Sequence, residues 1–110
     1  MTTNEPIQNV DKTDIIGQRK DGGVDLIVVV SGPIDGSELI LSTLRCKVRN
    51  YIRELLSSKF LGEYPGARDG RNRIIVMSEH FIDPRALALI DELKLEAEQA
   101  GANLVIRDTI

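Results

Sequence analysis

Apolar residues along this chain follow two spacings, one typical of strands and one typical of helices. Three short apolar runs predict strands that are buried on both faces of a sheet, namely residues 24–30, 73–77 and 104–106. Residues 14–17 predict a further short strand, and the glycines at 22 and 23 suit a tight turn after it. The first two strands are therefore predicted to form an antiparallel hairpin.

Two longer stretches carry apolar residues at three- and four-residue steps, which predicts helices. The first runs from about residue 38 to about residue 60, with an apolar face formed by Leu41, Leu44, Val48, Tyr51 and Leu55. Either Asp35, at capping-box spacing, or Ser37 is expected to cap it. The second begins at Asp83, which precedes a proline, and ends at Gly101. A linker with three glycines and a proline joins the first helix to the next strand.

The resulting order is β-β-α-β-α-β. It predicts an α/β fold: a mixed four-stranded sheet with an N-terminal antiparallel hairpin, parallel later strands and two helices. Residues 1–12 are expected to be a flexible leader, and residues 13–110 a single domain. The strand order stays open. If both helices lie on one face, the other face needs cover from the leader or from a second copy of the chain, so a homodimer is an expectation. A helix on each face would remove that need.

Composition excludes several classes of function. The chain has 110 residues and a formal net charge of -3, which does not favour binding to nucleic acid. With one cysteine (Cys46) and one histidine (His80), neither a disulfide nor a thiolate zinc site is expected, and no cofactor motif is present. The longest apolar run is too short to cross a membrane and no signal peptide precedes it, so a cytoplasmic location and no membrane partner are predicted.

The candidate ligand site lies in the loops after the second and third strands, because open parallel sheets bind ligands at the carboxyl ends of their strands. These loops contain Ser31, Asp35, Ser78, Glu79, His80 and Asp83. Such groups could hold a nucleophile, a base and an orienting carboxylate, or bind a divalent cation through oxygens. The favoured interpretation is that the aspartates cap helices and the serines satisfy turns. No catalytic motif is present, so no catalytic residue and no metal ligand is assigned.

Two groups of basic residues are candidates for docking. Arg45, Arg49 and Arg53 are four residues apart on the first helix, with Lys47 near the edge of this arginine stripe. The stripe could dock an anion or an acidic partner. The favoured interpretation is that it pairs with the acidic second helix, within one chain or between two subunits, or that it is merely solvated. The linker contains arginines at 68, 71 and 73 among glycines. They could bind a phosphate, although a mobile surface loop is favoured.

Several stretches resemble a bacterial family of domains of unknown function, number six-five-seven-two. They are residues 13–17, 39–41, 47–52, 57–60 and 64–66, the last with the sequence Tyr-Pro-Gly. The resemblance covers the chain from about residue 14 onward and implies a small bacterial α/β protein, with no activity or cofactor to carry over. The chain departs from the family at residues 31–36, where members carry His or Trp beside the aspartate.

A fold-level likeness also exists to the STAS domains of anti-sigma-factor antagonists and sulfate transporters. It rests on residues 81–83, on the following helix and on residues 100–106. Those antagonists carry a phosphorylatable Ser or Thr after the aspartate, where this chain has Pro84 and Arg85. The likeness implies a regulatory domain that lacks this switch.

The sequence thus favours a non-catalytic protein-interaction module that binds a protein partner, or itself, through its sheet face or its first helix. The alternatives are a small-ligand-binding or hydrolytic domain that uses the two loops, and a STAS-like regulatory domain.

Overall fold

The elements follow the chain in the predicted order β-β-α-β-α-β, with one short helix in addition. The computed structural model describes residue 7 and residues 12–108. In chain order the elements are β1 (Ile15–Gln18), β2 (Val24–Val29), α1 (Glu38–Leu56), α2 (Ser58–Glu63), β3 (Asn72–Met77), α3 (Pro84–Gln99) and β4 (Ala102–Arg107), with a 3₁₀ turn at Pro65–Asp69. The predicted fold class is confirmed.

The four strands lie side by side in chain order, β1-β2-β3-β4. β1 runs antiparallel to β2, and the other two pairs are parallel, as predicted. Gly22, at φ +91°, makes the hairpin turn, in which the Arg19 N–H donates to the Gly23 carbonyl. A left-handed backbone of this kind favours glycine because it has no Cβ.

Both long helices lie on the same face of the sheet. α1 and α3 contact each other, and their buried residues share one hydrophobic core with alternate residues of the strands. The strand residues on this side are Val24, Leu26, Val28, Ile74, Val76, Ala102 and Leu104. The pattern had left the placement of the helices open. The structure selects the one-sided arrangement, which leaves the opposite face without a helix among the described residues.

The first helix ends earlier than predicted. α1 stops at Leu56 because Ser57 has extended backbone, and its side-chain oxygen accepts from the Phe60 N–H to start α2. The apolar spacing continues through this break, so the pattern alone suggested one helix to about residue 60. The linker is correspondingly ordered, with α2 and the 3₁₀ turn inside it.

The predicted leader falls mostly outside the described residues. Of its twelve positions, Ile7 and Lys12 are described: Ile7 is buried in the core, and the Lys12 carbonyl accepts a hydrogen bond from Lys47. No helix in the described part of the chain is long and apolar enough to cross a membrane.

Candidate functional site

The two loops of the predicted ligand site do come together at the carboxyl end of the sheet. Ile34 and Ile82 form a short parallel bridge, with the Ile34 N–H donating to the Phe81 carbonyl and the Asp83 N–H donating to the Ile34 carbonyl. The loops are thus fixed to each other by backbone hydrogen bonds. Because the strand order never reverses, however, this edge lacks the crevice that a reversal opens between neighbouring strands.

The aspartates of these loops serve the local backbone. Ser37, rather than Asp35, caps α1, and Asp35 accepts from the Ser37 N–H at 3.0 Å. That hydrogen bond holds the pKa of Asp35 below its usual value. Asp83 caps α3 as predicted, and its carboxylate also accepts from the Arg85 guanidinium at 3.1 Å, which lowers its pKa.

The other predicted ligand residues are not joined into a constellation. The Ser78 hydroxyl is buried and turns back on its own loop, accepting from the His80 N–H at 3.1 Å. Glu79 and His80 are exposed. Within residues 12–108, no hydrogen bond or ion pair connects Asp35, Glu79 and His80, and no group of side chains is placed to hold a metal ion. Ser31 is exposed and has a partner of its own.

The arginine stripe of α1 is partly paired with α3. Arg49 makes two hydrogen bonds with Glu96, at 3.1 and 3.0 Å, which raise the pKa of its guanidinium. Arg53 is exposed and donates to Asn50, and Arg45 is half-buried. This arrangement agrees with the predicted pairing of the two helices more closely than with a free docking stripe.

Lys47 does not lie at the edge of that stripe. Its side chain is 0% exposed and donates to the Asp14 carboxylate at 2.9 Å and to the Lys12 carbonyl at 2.8 Å. Its ammonium also lies 5.5 Å from the centre of the Tyr51 ring, within range of a cation–π contact. The sequence placed Lys47 near the edge of the arginine stripe because it lies between Arg45 and Arg49. The structure instead places it under the segment that leads into β1.

Tyr51 completes this buried network. Its hydroxyl donates to the Ile27 carbonyl at 2.9 Å and accepts from the Asp14 N–H at 2.8 Å. Burial raises the pKa of the phenol above its ordinary range. Asp14 in turn accepts from the Val29 N–H. The network therefore ties α1, β2 and the start of β1 together.

The helix-free face of the sheet carries an apolar row that crosses all four strands. The pairing register places Ile15, Ile27, Ile75 and Val105 next to one another across the sheet. A second row toward the carboxyl ends contains Val29, Met77 and Arg107. Ile27 and Ile75 in the central strands are buried, whereas Ile15 at the edge is 42% exposed, and Val29, Met77 and Val105 are half-buried. We call these six apolar residues the helix-free row.

A polar row borders the helix-free row at the amino ends of the strands. Asp25, Arg73 and Asn103 are neighbours there. Arg73 donates to Asp25 through two hydrogen bonds of 2.8 and 2.7 Å, and Arg19 binds the same carboxylate. The contact with Arg73 holds the pKa of Asp25 below its usual value, and that of Arg73 is raised.

Beside this row lies a cleft of about 360 Å³ at the amino ends of β3 and β4. It is lined by Arg19, Asp21, Gly70, Arg71, Asn72, Arg73, Glu98, Gly101, Ala102 and Asn103. Two arginines of the predicted phosphate-binding linker are thus brought together, but each is paired with an aspartate, Arg71 with Asp69 and Arg73 with Asp25. The cleft is therefore close to neutral in charge.

Sequence reasoning missed the helix-free row as a unit. Its residues are visible as every second position of the apolar runs, but the runs alone do not say which face lacks helices. Given the order β1-β2-β3-β4, same-handed crossovers put both helices on one side, and the row follows. The sequence pattern does not give the strand order, so the helix-free row could not be predicted from it.

Comparison with known proteins returned no relatives. No family model matches the chain, and no curated protein or solved structure is significantly similar to it.

Proposed function

We propose that this chain is a non-catalytic protein-interaction module that uses the helix-free face of its sheet to bind an amphipathic helix with acidic flanks on a partner protein. The observation that carries the proposal is the helix-free row, because parallel strands that are apolar on both faces normally have helices on both sides. Among the described residues, α1 and α3 supply one of those layers. A helix from a partner supplies the other, in contact with the exposed Ile15 and with the half-buried residues of the row.

The charges around the row favour an acidic partner. Arg73 and Arg107 project from this face at its two ends, and Arg19 borders it. Two carboxylates lie among them: two guanidiniums share Asp25, and Asp21 lies 3.4 Å from Arg19. An apolar centre with a charged rim is the usual composition of a binding surface. The rim thus has three guanidiniums against two carboxylates, whereas the whole chain carries a net charge of -3.

The proposal can be tested with synthetic helices. The probe is a labelled peptide of about 18 residues, or about five helical turns, with leucine on one face and glutamate along both flanks. A second peptide has lysine in place of glutamate. Fluorescence anisotropy with the full chain is expected to show at least tenfold tighter binding of the glutamate peptide, because its flanks meet the arginines.

Two double variants locate the surface. Ile15→Gln with Val105→Gln changes both ends of the helix-free row, and is expected to weaken binding of the glutamate peptide at least tenfold. Ile16→Gln with Ile106→Gln is the matched control, because these residues are adjacent on the same two strands, are 36% and 38% exposed, and lie on the helix side. The control is expected to bind as the wild-type chain does.

Three results would overturn the proposal. They are equal binding of the two peptides, equal loss in the two double variants, and a wild-type dimer that Ile15→Gln converts to monomer. The last result would mean that a second copy of the chain occupies the face. Circular dichroism of each variant verifies that the fold is retained.

The proposal also agrees with what the likenesses to the bacterial family and to STAS domains imply. A STAS-like regulatory domain also acts by binding a partner, and with Pro84 and Arg85 after the capping Asp83 it would do so without phosphorylation. The cytoplasmic location likewise remains a prediction. If the chain is such a regulatory domain, kinase treatment is expected to leave peptide binding unchanged.

A further inference from the structure

One edge strand of the sheet, β4, is unpaired on its outer side among the described residues. β4 pairs with β3 on one side, and no described strand lies on the other. The carbonyls of Gly101, just before β4, and of Arg107 accept from the N–H groups of Asn72 and Ser78, so the backbone N–H and C=O groups of the odd-numbered residues of β4 point toward β3. In a parallel ladder the backbone groups of alternate residues point in opposite directions. Those of Ala102, Leu104 and Ile106 therefore point outward, away from β3.

This edge carries few of the features that protect strand edges. Natural proteins shield such edges with lysine, proline, bulges or a very short strand. β4 has six residues, Ala-Asn-Leu-Val-Ile-Arg, with no proline or lysine and a single charge at its end. β1, the opposite edge, is four residues long and is therefore the better protected of the two.

The neighbouring flank of α3 is self-complementary. Leu87, Asp91, Lys94 and Glu98 are spaced by four, three and four residues, so they form one stripe along the helix. Glu98 lines the same cleft as Asn103, which places this stripe on the β4 side. Leu87 and Ile106 are both exposed. The stripe has an aspartate and a lysine at its middle.

We propose that two copies of the chain associate through this edge, with the β4 strands antiparallel across a twofold axis. Leu104 of one copy then lies opposite Leu104 of the other, and Ala102 lies opposite Ile106. In this register, residues whose backbone groups point outward pair with one another. The small side chain of Ala102 lies opposite the larger, exposed side chain of Ile106. The two sheets join into one of eight strands.

Charge complementarity supports a second copy as the occupant. α3 runs antiparallel to β4, so the same axis sets the two α3 helices antiparallel to each other. Lys94 of one copy then faces Asp91 of the other, and the reciprocal pair forms by symmetry. Within one chain these two residues already lie 3.1 Å apart, so only small side-chain movements are needed to exchange partners.

The first test is the mass of the full chain in solution. Sedimentation equilibrium is expected to show a monomer–dimer equilibrium. Ile106→Pro is expected to weaken the dimer at least tenfold, because proline removes an outward N–H donor and is tolerated at strand edges. Ile16→Pro is the matched control, since hydrogen-bonded Ile15 places the Ile16 N–H outward on the other edge. It is expected to leave the dimer unchanged.

The second test reverses the charges on α3. Lys94→Asp places like charges across the axis and is expected to weaken the dimer at least tenfold. Adding Asp91→Lys restores the complementary pairs, and the double variant is expected to return to within threefold of the wild-type dissociation constant. Because both residues are exposed, neither change needs to disturb the fold.

Some outcomes overturn this inference. A chain that stays monomeric at every concentration does so, as does a dimer that persists in both Ile106→Pro and Lys94→Asp. The edge dimer and the partner-binding face are separable: Ile15→Gln is expected to lower peptide binding without changing the mass, and Ile106→Pro to do the reverse.

Discussion

Each face of the sheet carries a polar network built around one aspartate, and the two networks differ in how far water reaches them. On the helix side, Asp14 is bound by Lys47, which is completely enclosed. On the helix-free side, Asp25 is bound by Arg73 and Arg19, which keep 29% and 26% of their side chains in water. The charge pairs are chemically similar, but their surroundings are not.

The difference separates a structural role from a binding role. An enclosed ion pair has no access to a partner, and removing one member leaves a buried charge behind. A pair whose cations are partly exposed at the rim of an apolar row can exchange partners and contributes to steering and specificity. We infer that the Lys47 network fixes the start of β1 on α1, and that the Asp25 network forms the rim of the proposed docking face.

The largest effect on stability is expected from Lys47→Ala. It leaves the Asp14 carboxylate without its cation, and loss of one member of a buried pair costs about 3–5 kcal/mol. Urea denaturation followed by circular dichroism measures the change in the free energy of unfolding. Arg53→Ala, on the exposed side of the same helix, is the control and is expected to keep the wild-type urea midpoint. Equal shifts in the two variants would contradict the enclosed network.

A smaller effect on the same side is expected from Tyr51→Phe. The ring remains in the core, but the Asp14 N–H and the Ile27 carbonyl lose their shared partner. Leaving buried groups unsatisfied costs about 1–3 kcal/mol. Hydrogen exchange is the sharper measurement, because the loss is expected to accelerate exchange at Asp14 and in β1 before it affects β3. Uniform acceleration across the sheet would show that the hydroxyl has no specific role in holding β1.

The fold could be predicted from the sequence because its periodicities are strong and mutually consistent. The apolar runs at β2 and β3 and the spacing through α1 and α3 are each sufficient to identify an element. The break at Ser57 could not be predicted, because a capping serine between two helices leaves the apolar spacing intact. The strand order is a tertiary property that no local pattern encodes.

The sites were less predictable because they depend on which residues meet across the sheet. Two loops were correctly expected to converge, as the bridge between Ile34 and Ile82 shows. The role of Lys47 was missed because its partner, Asp14, is 33 residues away in the chain. The helix-free row requires the register of four strands, and single positions within apolar runs do not reveal it.

The smallest expected effect on stability is that of Asp25→Asn, and it is measured through the pH dependence of unfolding. Because Arg73 lowers the folded-state pKa of Asp25, the ionised form contributes stability above the unfolded pKa of about 3.9. That contribution is lost as the pH falls through the lower folded value. Asp25→Asn is expected to cost about 1–2 kcal/mol at neutral pH and to reduce the loss of stability between neutral and acid pH, as measured by urea denaturation across that range. Asp69→Asn, which changes an exposed pair with Arg71, is expected to keep the wild-type pH dependence. If the two variants behave alike, the Asp25 network is only another exposed ion pair, and the rim is weaker than proposed.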